Sequence, residues 1–178
     1  MLSRNSRGKE RSGGRGVFLI KLEITKLGPF MGKLLSSECF DSFLLTEAKV
    51  RTEATWTMDG RVNRDFFTSE EWEDREKNGF EYITWQSARP YFHELIRGRR
   101  APVSFRFVLS LKPEYLCSSA DKSIVSALLI NVNYEEGAAS LITGVSYSAF
   151  TLDRSAESAW DQTVRRFLDS KDIVYSER

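Results

Sequence analysis

Between Val103 and Leu111 every second residue is large and apolar: Val103, Phe105, Phe107, Leu109 and Leu111, with Ser104, Arg106 and Ser110 between them. A period of two places all of these side chains on one face of a strand, whereas a helix would scatter them around its circumference. A face with two phenylalanines needs cover from a second layer, so the strand is expected at the centre of a sheet. The expected cover is a final helix with Trp160, Val164, Phe167 and Leu168 along one side.

The same period recurs along the chain. Phe18, Ile20, Leu22 and Ile24 predict a strand from Val17, and Asp41 to Thr57 reads as one or two strands with Leu44, Thr46, Ala48 and Val50 on a common face. Leu128, Ile130, Val132 and Tyr134 form another, which Glu135-Glu136-Gly137 turns into one bearing Leu141, Thr143, Val145 and Tyr147. Asp59-Gly60 suits a hairpin turn that needs positive φ at both central positions. Helices are predicted where the period lengthens: a short one opened by Gly28-Pro29, and one running to Ile96 from Pro90 at the latest, with Tyr91, Phe92, Leu95 and Ile96 on its apolar side. Thr68-Ser69-Glu70-Glu71 is a capping box for an acidic helix that ends before Asn78-Gly79 and turns Trp72 inward. Asp153 or Ser155 caps the last helix. Several strands joined by short turns, with fewer helices, predict an α+β fold: a mainly antiparallel sheet of about six strands with three to four helices. Pro29-Phe30 and Leu34-Leu35 recur as Pro90-Tyr91 and Leu95-Ile96, both shifted by 61 residues, the pattern of a tandem β-α-β-β unit.

At 178 residues, with 41% hydrophobic and 29% charged side chains, the chain has the makings of one domain with a self-sufficient core. The net charge of +1 hides an asymmetry. Residues 1–16 carry Arg4, Arg7, Lys9, Arg11 and Arg15 against Glu10, so residues 17–178, the expected single α+β domain, are net acidic. The first sixteen residues have no apolar period and read as a disordered basic tail, either nucleic-acid-seeking or an over-extended start.

Cys39 and Cys117 are far apart, His93 is the only histidine, and neither C-x-x-C nor H-E-x-x-H occurs, so no metal framework is expected. No phosphate-loop, dinucleotide or nucleophile-elbow motif is present, and no cofactor is expected. No apolar run approaches the ~20 residues of a membrane span, and Val17–Ile20 is too short for a signal-peptide core, which predicts a cytoplasmic location away from membranes.

Two constellations remain. Arg89, Arg97, Arg99 and Arg100, with Arg106 and the aromatics Trp85, Tyr91 and Phe92, combine the groups that grip phosphates and stack on bases. Cations at a helix C-terminus also serve the helix itself. Asp41 with Glu47-Ala48-Lys49 resembles the carboxylates and lysine with which nucleases hold a divalent ion and orient water. His93 beside Glu94 offers a general base, and Glu70, Glu71, Glu73, Asp74 and Glu76 offer an acidic face. These residues support a non-catalytic binding or scaffold module whose partner is a protein or a nucleic acid. The alternative is a metal-dependent nuclease or phosphodiesterase using Asp41, Glu47 and Lys49.

The strings FDSFLLTEA (40–48), TMDGRVN (57–63), ARPYFHELIRGRRAPVSFRF (88–107) and FTLDRSAESAWD (150–161) resemble a family of uncharacterised single-domain proteins from anaerobic gut Firmicutes. The resemblance covers about residues 18–170 and implies a bacterial, intracellular protein without assigning an activity. The repeated β-α-β-β order is similar to one domain of a DNA sliding clamp, which implies two helices facing DNA and a sheet outside. The acidic helix and the extra C-terminal helix depart from that pattern.

Overall fold

The computed structural model describes residues 17–79, 81–116 and 122–177. The tail 1–16 and Cys117 lie outside the described residues. Eight strands among the described residues form one sheet: β1 (Val17–Ile24), β2 (Leu44–Arg51), β3 (Thr55–Asp59), β4 (Ile83–Thr84), β5 (Ser104–Leu111), β6 (Val125–Glu135), β7 (Ala138–Tyr147) and β8 (Tyr175–Glu177). Their order is β3-β2-β5-β6-β7-β1-β8, with β4 pairing the start of β2, and every pairing is antiparallel. The two strands beyond the expected six are β4 and β8, too short to show a period. Four helices accompany the sheet: α1 (Leu27–Leu35), α2 (Ser69–Asn78), α3 (Trp85–Ile96) and α4 (Ser155–Ser170). The α+β architecture follows the hydrophobic pattern of the sequence.

β5 is central, between β2 and β6, with Phe105, Phe107, Leu109 and Leu111 buried. Val103 precedes the strand and is half exposed. The cover over Phe107 differs from expectation. Its ring meets Trp85 and Phe92 of α3, with centroids 5.0 and 4.8 Å away, and Phe105 stacks on Tyr134 of β6 at 5.1 Å. The last helix lies further across the same face. Trp160 Nε1 donates to the Leu129 carbonyl (2.9 Å), and Phe167 packs on Phe40 and Phe43. An eight-stranded sheet is wider than one helix can cover, so α1, α3 and α4 share the task. Trp85 Nε1 donates to the Leu34 carbonyl (2.9 Å) and fastens α3 to α1.

The order β1-α1-β2-β3 followed by β4-α3-β5-β6 matches the repeat seen in the sequence. β2 departs from strict alternation, because a bulge between Leu45 and Glu47 turns Leu45, rather than Leu44 and Thr46, to the helical face with Ala48 and Val50. Glu47 and Lys49 alternate with Ala48 and Val50 as expected and point to the other face, opposite Val108 and Arg106 of β5. Asp59-Gly60 is not the hairpin turn. That turn lies at Thr52–Ala54, where the Thr52 amide donates to the Ala54 carbonyl. Gly60 continues along the sheet edge, its amide donating to the Thr46 carbonyl and its carbonyl accepting from the Ile83 amide. The turn read at Glu135-Glu136-Gly137 forms, with φ of 53° at Glu136 and 80° at Gly137.

The capping box forms as the sequence specifies. The Thr68 hydroxyl accepts from the Glu71 amide, the Glu71 carboxylate accepts from the Thr68 amide, and Gly79 ends α2 with φ of 63°. Yet α2 buries nothing in the core. Trp72 packs on Phe67 within the excursion between β3 and β4, while Arg64 covers the Trp72 ring and Arg75 the Phe67 ring. At the start of α4 the Asp153 carboxylate accepts from the Ser155 amide (2.9 Å), so Asp153 serves the helix end from one residue outside the cap.

Candidate functional site

Antiparallel pairing of β2 with β5 fixes where the site forms. Arg51 stands opposite Ser104, so the β2–β3 turn and the loop from α3 into β5 emerge at the same end of the sheet. The Val103 amide donates to the Arg51 carbonyl (2.8 Å) and holds the two together. Between them lies a cleft of about 660 Å³. The turn contributes Thr52 and Glu53, and the start of β3 contributes Trp56. The end of α3 and its loop contribute Glu94, Leu95, Gly98, Arg99, Arg100 and Ala101, with Val103.

Trp56 is 47% exposed, an unusual state for a tryptophan on a strand. Its indole Nε1 donates to Thr52 Oγ1 (3.3 Å), which ties up the polar edge of the ring. Among the described residues, neither Arg99 nor Arg100 has a hydrogen-bond or ion-pair partner, and both are exposed. The lining also holds two carboxylates, Glu53 on the turn and Glu94 on α3, the latter facing Arg97, so the unpartnered cations of the cleft are the adjacent Arg99 and Arg100.

Of the four arginines singled out in the sequence, Arg99 and Arg100 line the cleft. Arg97 stands just outside it as the C-cap of α3, with Nε 3.5 Å from Glu94. Arg89 is elsewhere and engaged: Nε and Nη2 bind the two oxygens of Asp41 at 3.0 and 2.9 Å in a partly buried bidentate pair. Trp85 and Phe92 belong to the core, and Tyr91 is exposed on the outer side of α3. Arg106 lies on the far face of the sheet and donates to Asn131 Oδ1 (3.2 Å). The residues missed in the sequence are Thr52 and Trp56. Their one local signal is a tryptophan on a short strand whose neighbours are polar.

The second constellation is not gathered. Asp41 follows a 3-10 turn (Glu38–Phe40) on the helical side and is held by Arg89, while Glu47 and Lys49 occupy the opposite face of the sheet. Among the described residues no group of three or more His, Cys, Asp and Glu side chains is placed to hold a metal ion. His93 is half-buried on α3, with Nδ1 3.5 Å from Glu94. Desolvation raises the Cys39 thiol above its ordinary value, which disfavours the thiolate.

A buried polar cluster sits apart from the cleft, where α4 crosses β7. Thr143 Oγ1 donates to Asp161 Oδ1 (2.6 Å), and Arg154 donates to the buried Glu157 (2.6 Å). Burial raises the Asp161 carboxyl, with the Thr143 hydrogen bond opposing it. Burial and the neighbouring Glu157 push the Tyr147 hydroxyl up to about 12.

Among the described residues no helix is long and apolar enough to cross a membrane. Neither a curated protein nor a solved structure matches the chain. A family model matches residues 33–176, which include the whole cleft, and the chain belongs to that family, a family of unknown function (DUF5721).

Proposed function

We propose that this chain is a non-catalytic binding module that receives a nucleic-acid strand in the cleft between the β2–β3 turn and the end of α3. The observation that carries the reading is the pairing of a half-exposed Trp56 with two unpartnered guanidiniums, Arg99 and Arg100, across one cleft. Arginine binds phosphate oxygens through a planar fork of donors, and an aromatic face is a general platform for bases. A sliding-clamp-like use of the helical face has less to draw on. Lys33 donates to the Lys171 carbonyl, Arg89 is committed to Asp41, and Arg97 faces Glu94. The nuclease alternative would require Asp41 to leave Arg89 and cross the sheet to reach Glu47 and Lys49. A bacterial, cytoplasmic setting, as the sequence resemblance implies, suits this reading.

The test is fluorescence anisotropy with a labelled single-stranded oligonucleotide across a salt series. Binding is expected to weaken steeply with salt, and replacing Arg99 and Arg100 by Ala is expected to lower the salt slope by about 1.4, or about 0.7 per phosphate contact on a single strand. A full-length variant with Ser at Arg4, Arg7, Lys9, Arg11 and Arg15 separates the tail from the cleft. Binding lost in the tail variant but unaltered in the Arg99/Arg100 variant would overturn the cleft reading. No binding even at low salt would overturn the nucleic-acid reading as a whole.

A further inference from the structure

We infer that the cleft takes unpaired nucleotides and excludes duplex, with Trp56 stacking on a base and Thr52 acting as the positioning residue for its ring. The inference rests on the nucleic-acid reading of the same cleft and specifies its substrate class. The cleft, about 660 Å³, lies within the range of pockets that hold small molecules, enough for a nucleotide or two and far too small for a double helix. A paired base has both faces covered by its neighbours, so it can reach an indole inside a cleft only after leaving the stack. An unpaired strand offers its bases without that cost.

The charges orient the ligand. Arg99 and Arg100, adjacent in the loop after α3 and without partners among the described residues, attract the phosphate, while Glu94 faces Arg97, and the base is left to the apolar lining of Trp56, Leu95 and Val103. Thr52 Oγ1 accepts the indole N–H, which occupies the donor edge of the half-exposed ring and leaves stacking as its contact with a base. Recognition is then tolerant of base identity, because every base has a π-face.

Three probes of equal length test this on the full chain: a single-stranded oligothymidylate, an abasic sugar–phosphate strand and a blunt duplex. The unaltered chain is expected to bind oligothymidylate about 10-fold more tightly than the abasic strand, in keeping with the usual contribution of one stacked base. Trp56→Ala is expected to abolish the preference for oligothymidylate over the abasic strand, while Trp56→Phe keeps most of it. Thr52→Val, which removes the acceptor and keeps the shape, is expected to reduce the preference while Trp56 remains. Equal affinities for the base-bearing and abasic strands, or a duplex bound as well as the single strand, would overturn this inference and leave the nucleic-acid reading standing. Failure of all three probes to bind would remove both. The abasic comparison uses the unaltered chain, so it decides the matter even if a variant misfolds.

Discussion

Gly60 shows how much a single atom can weigh in this fold. A Cβ built there would lie 1.8 Å from the Leu45 carbonyl oxygen and 2.7 Å from its carbon, both backbone atoms of the bulged stretch of β2 that cannot step aside. Gly60→Ala is therefore expected to cost about 3 kcal/mol or more, read as a fall in the denaturant midpoint. An unchanged midpoint would mean that the β2 bulge yields. In the sequence this glycine looks like a turn residue, because Asp-Gly carries the same letters whether the need is for positive φ or for close approach. Asp161 makes a different case. Its folded value is raised, so its favourable contribution is fully present below the unfolded value of about 4 and is lost as pH rises through the folded one. Asp161→Asn keeps an acceptor for Thr143 and removes the buried charge. The variant is expected to melt higher than the parent at neutral pH, with the difference closing as pH falls below about 4. A lower melting temperature at neutral pH would show that the charge itself stabilises α4.

At the scale of elements, α3 and α2 stand at opposite extremes. Phe107 packs against Trp85 and Phe92 in one aromatic stack, and Phe107→Ala is expected to cost about 3–5 kcal/mol, with Trp85→Ala similar. The double variant should cost less than the sum, since the two rings share a contact. Strict additivity in that cycle would deny the stack a common role. α2 has no buried residue, and the neck of its excursion is closed by the Arg61–Tyr82 bridge and by the Val62 amide donating to the Glu81 carbonyl (2.9 Å). Replacing residues 64–79 by a short Gly-Ser link removes the hydrogen bond from Lys112 Nζ to the Asn78 carbonyl but no core contact, and should lower stability by no more than about 1.5 kcal/mol. A loss of several kcal/mol would show that the excursion supports the sheet edge. The capping box of α2 was legible because it is local, four residues satisfying one another. The surface position of α2 was not, since a tryptophan on a polar helix reads as inward-facing until its true neighbour, Phe67, is located.

For the whole molecule, the last helix closes the fold. Trp160, Val164 and Leu168 are buried, and α4 is held to β8 by the Arg165–Glu177 ion pair (2.6 Å). Burial of each such apolar side chain is worth about 1.5–3 kcal/mol, a large share of a usual total of about 5–15. A chain ending at Leu152 is expected to lose its cooperative transition and to bind hydrophobic dyes, as loosely packed states do. A cooperative transition at the parental midpoint would make α4 an appendage.

The sequence alone determined the alternation of β5, the helix-then-strands echo at a shift of 61 residues, the turn at Glu135-Glu136-Gly137 and the cap of α2. Each is a signal confined to a few neighbouring residues, where backbone geometry and side-chain chemistry act directly. Tertiary structure decided the rest. It placed α3 rather than α4 over Phe107, spent Arg89 on Asp41 on the opposite side of the sheet from Glu47 and Lys49, turned Leu45 inward through the bulge in β2, and brought Trp56 to face Arg99 and Arg100. Trp56 and Arg99 are 43 residues apart in sequence, and only the antiparallel register of β2 on β5 brings their loops to the same end of the sheet. That register is set by the burial of a whole face at once, a property of the assembled sheet that no short stretch of the chain carries.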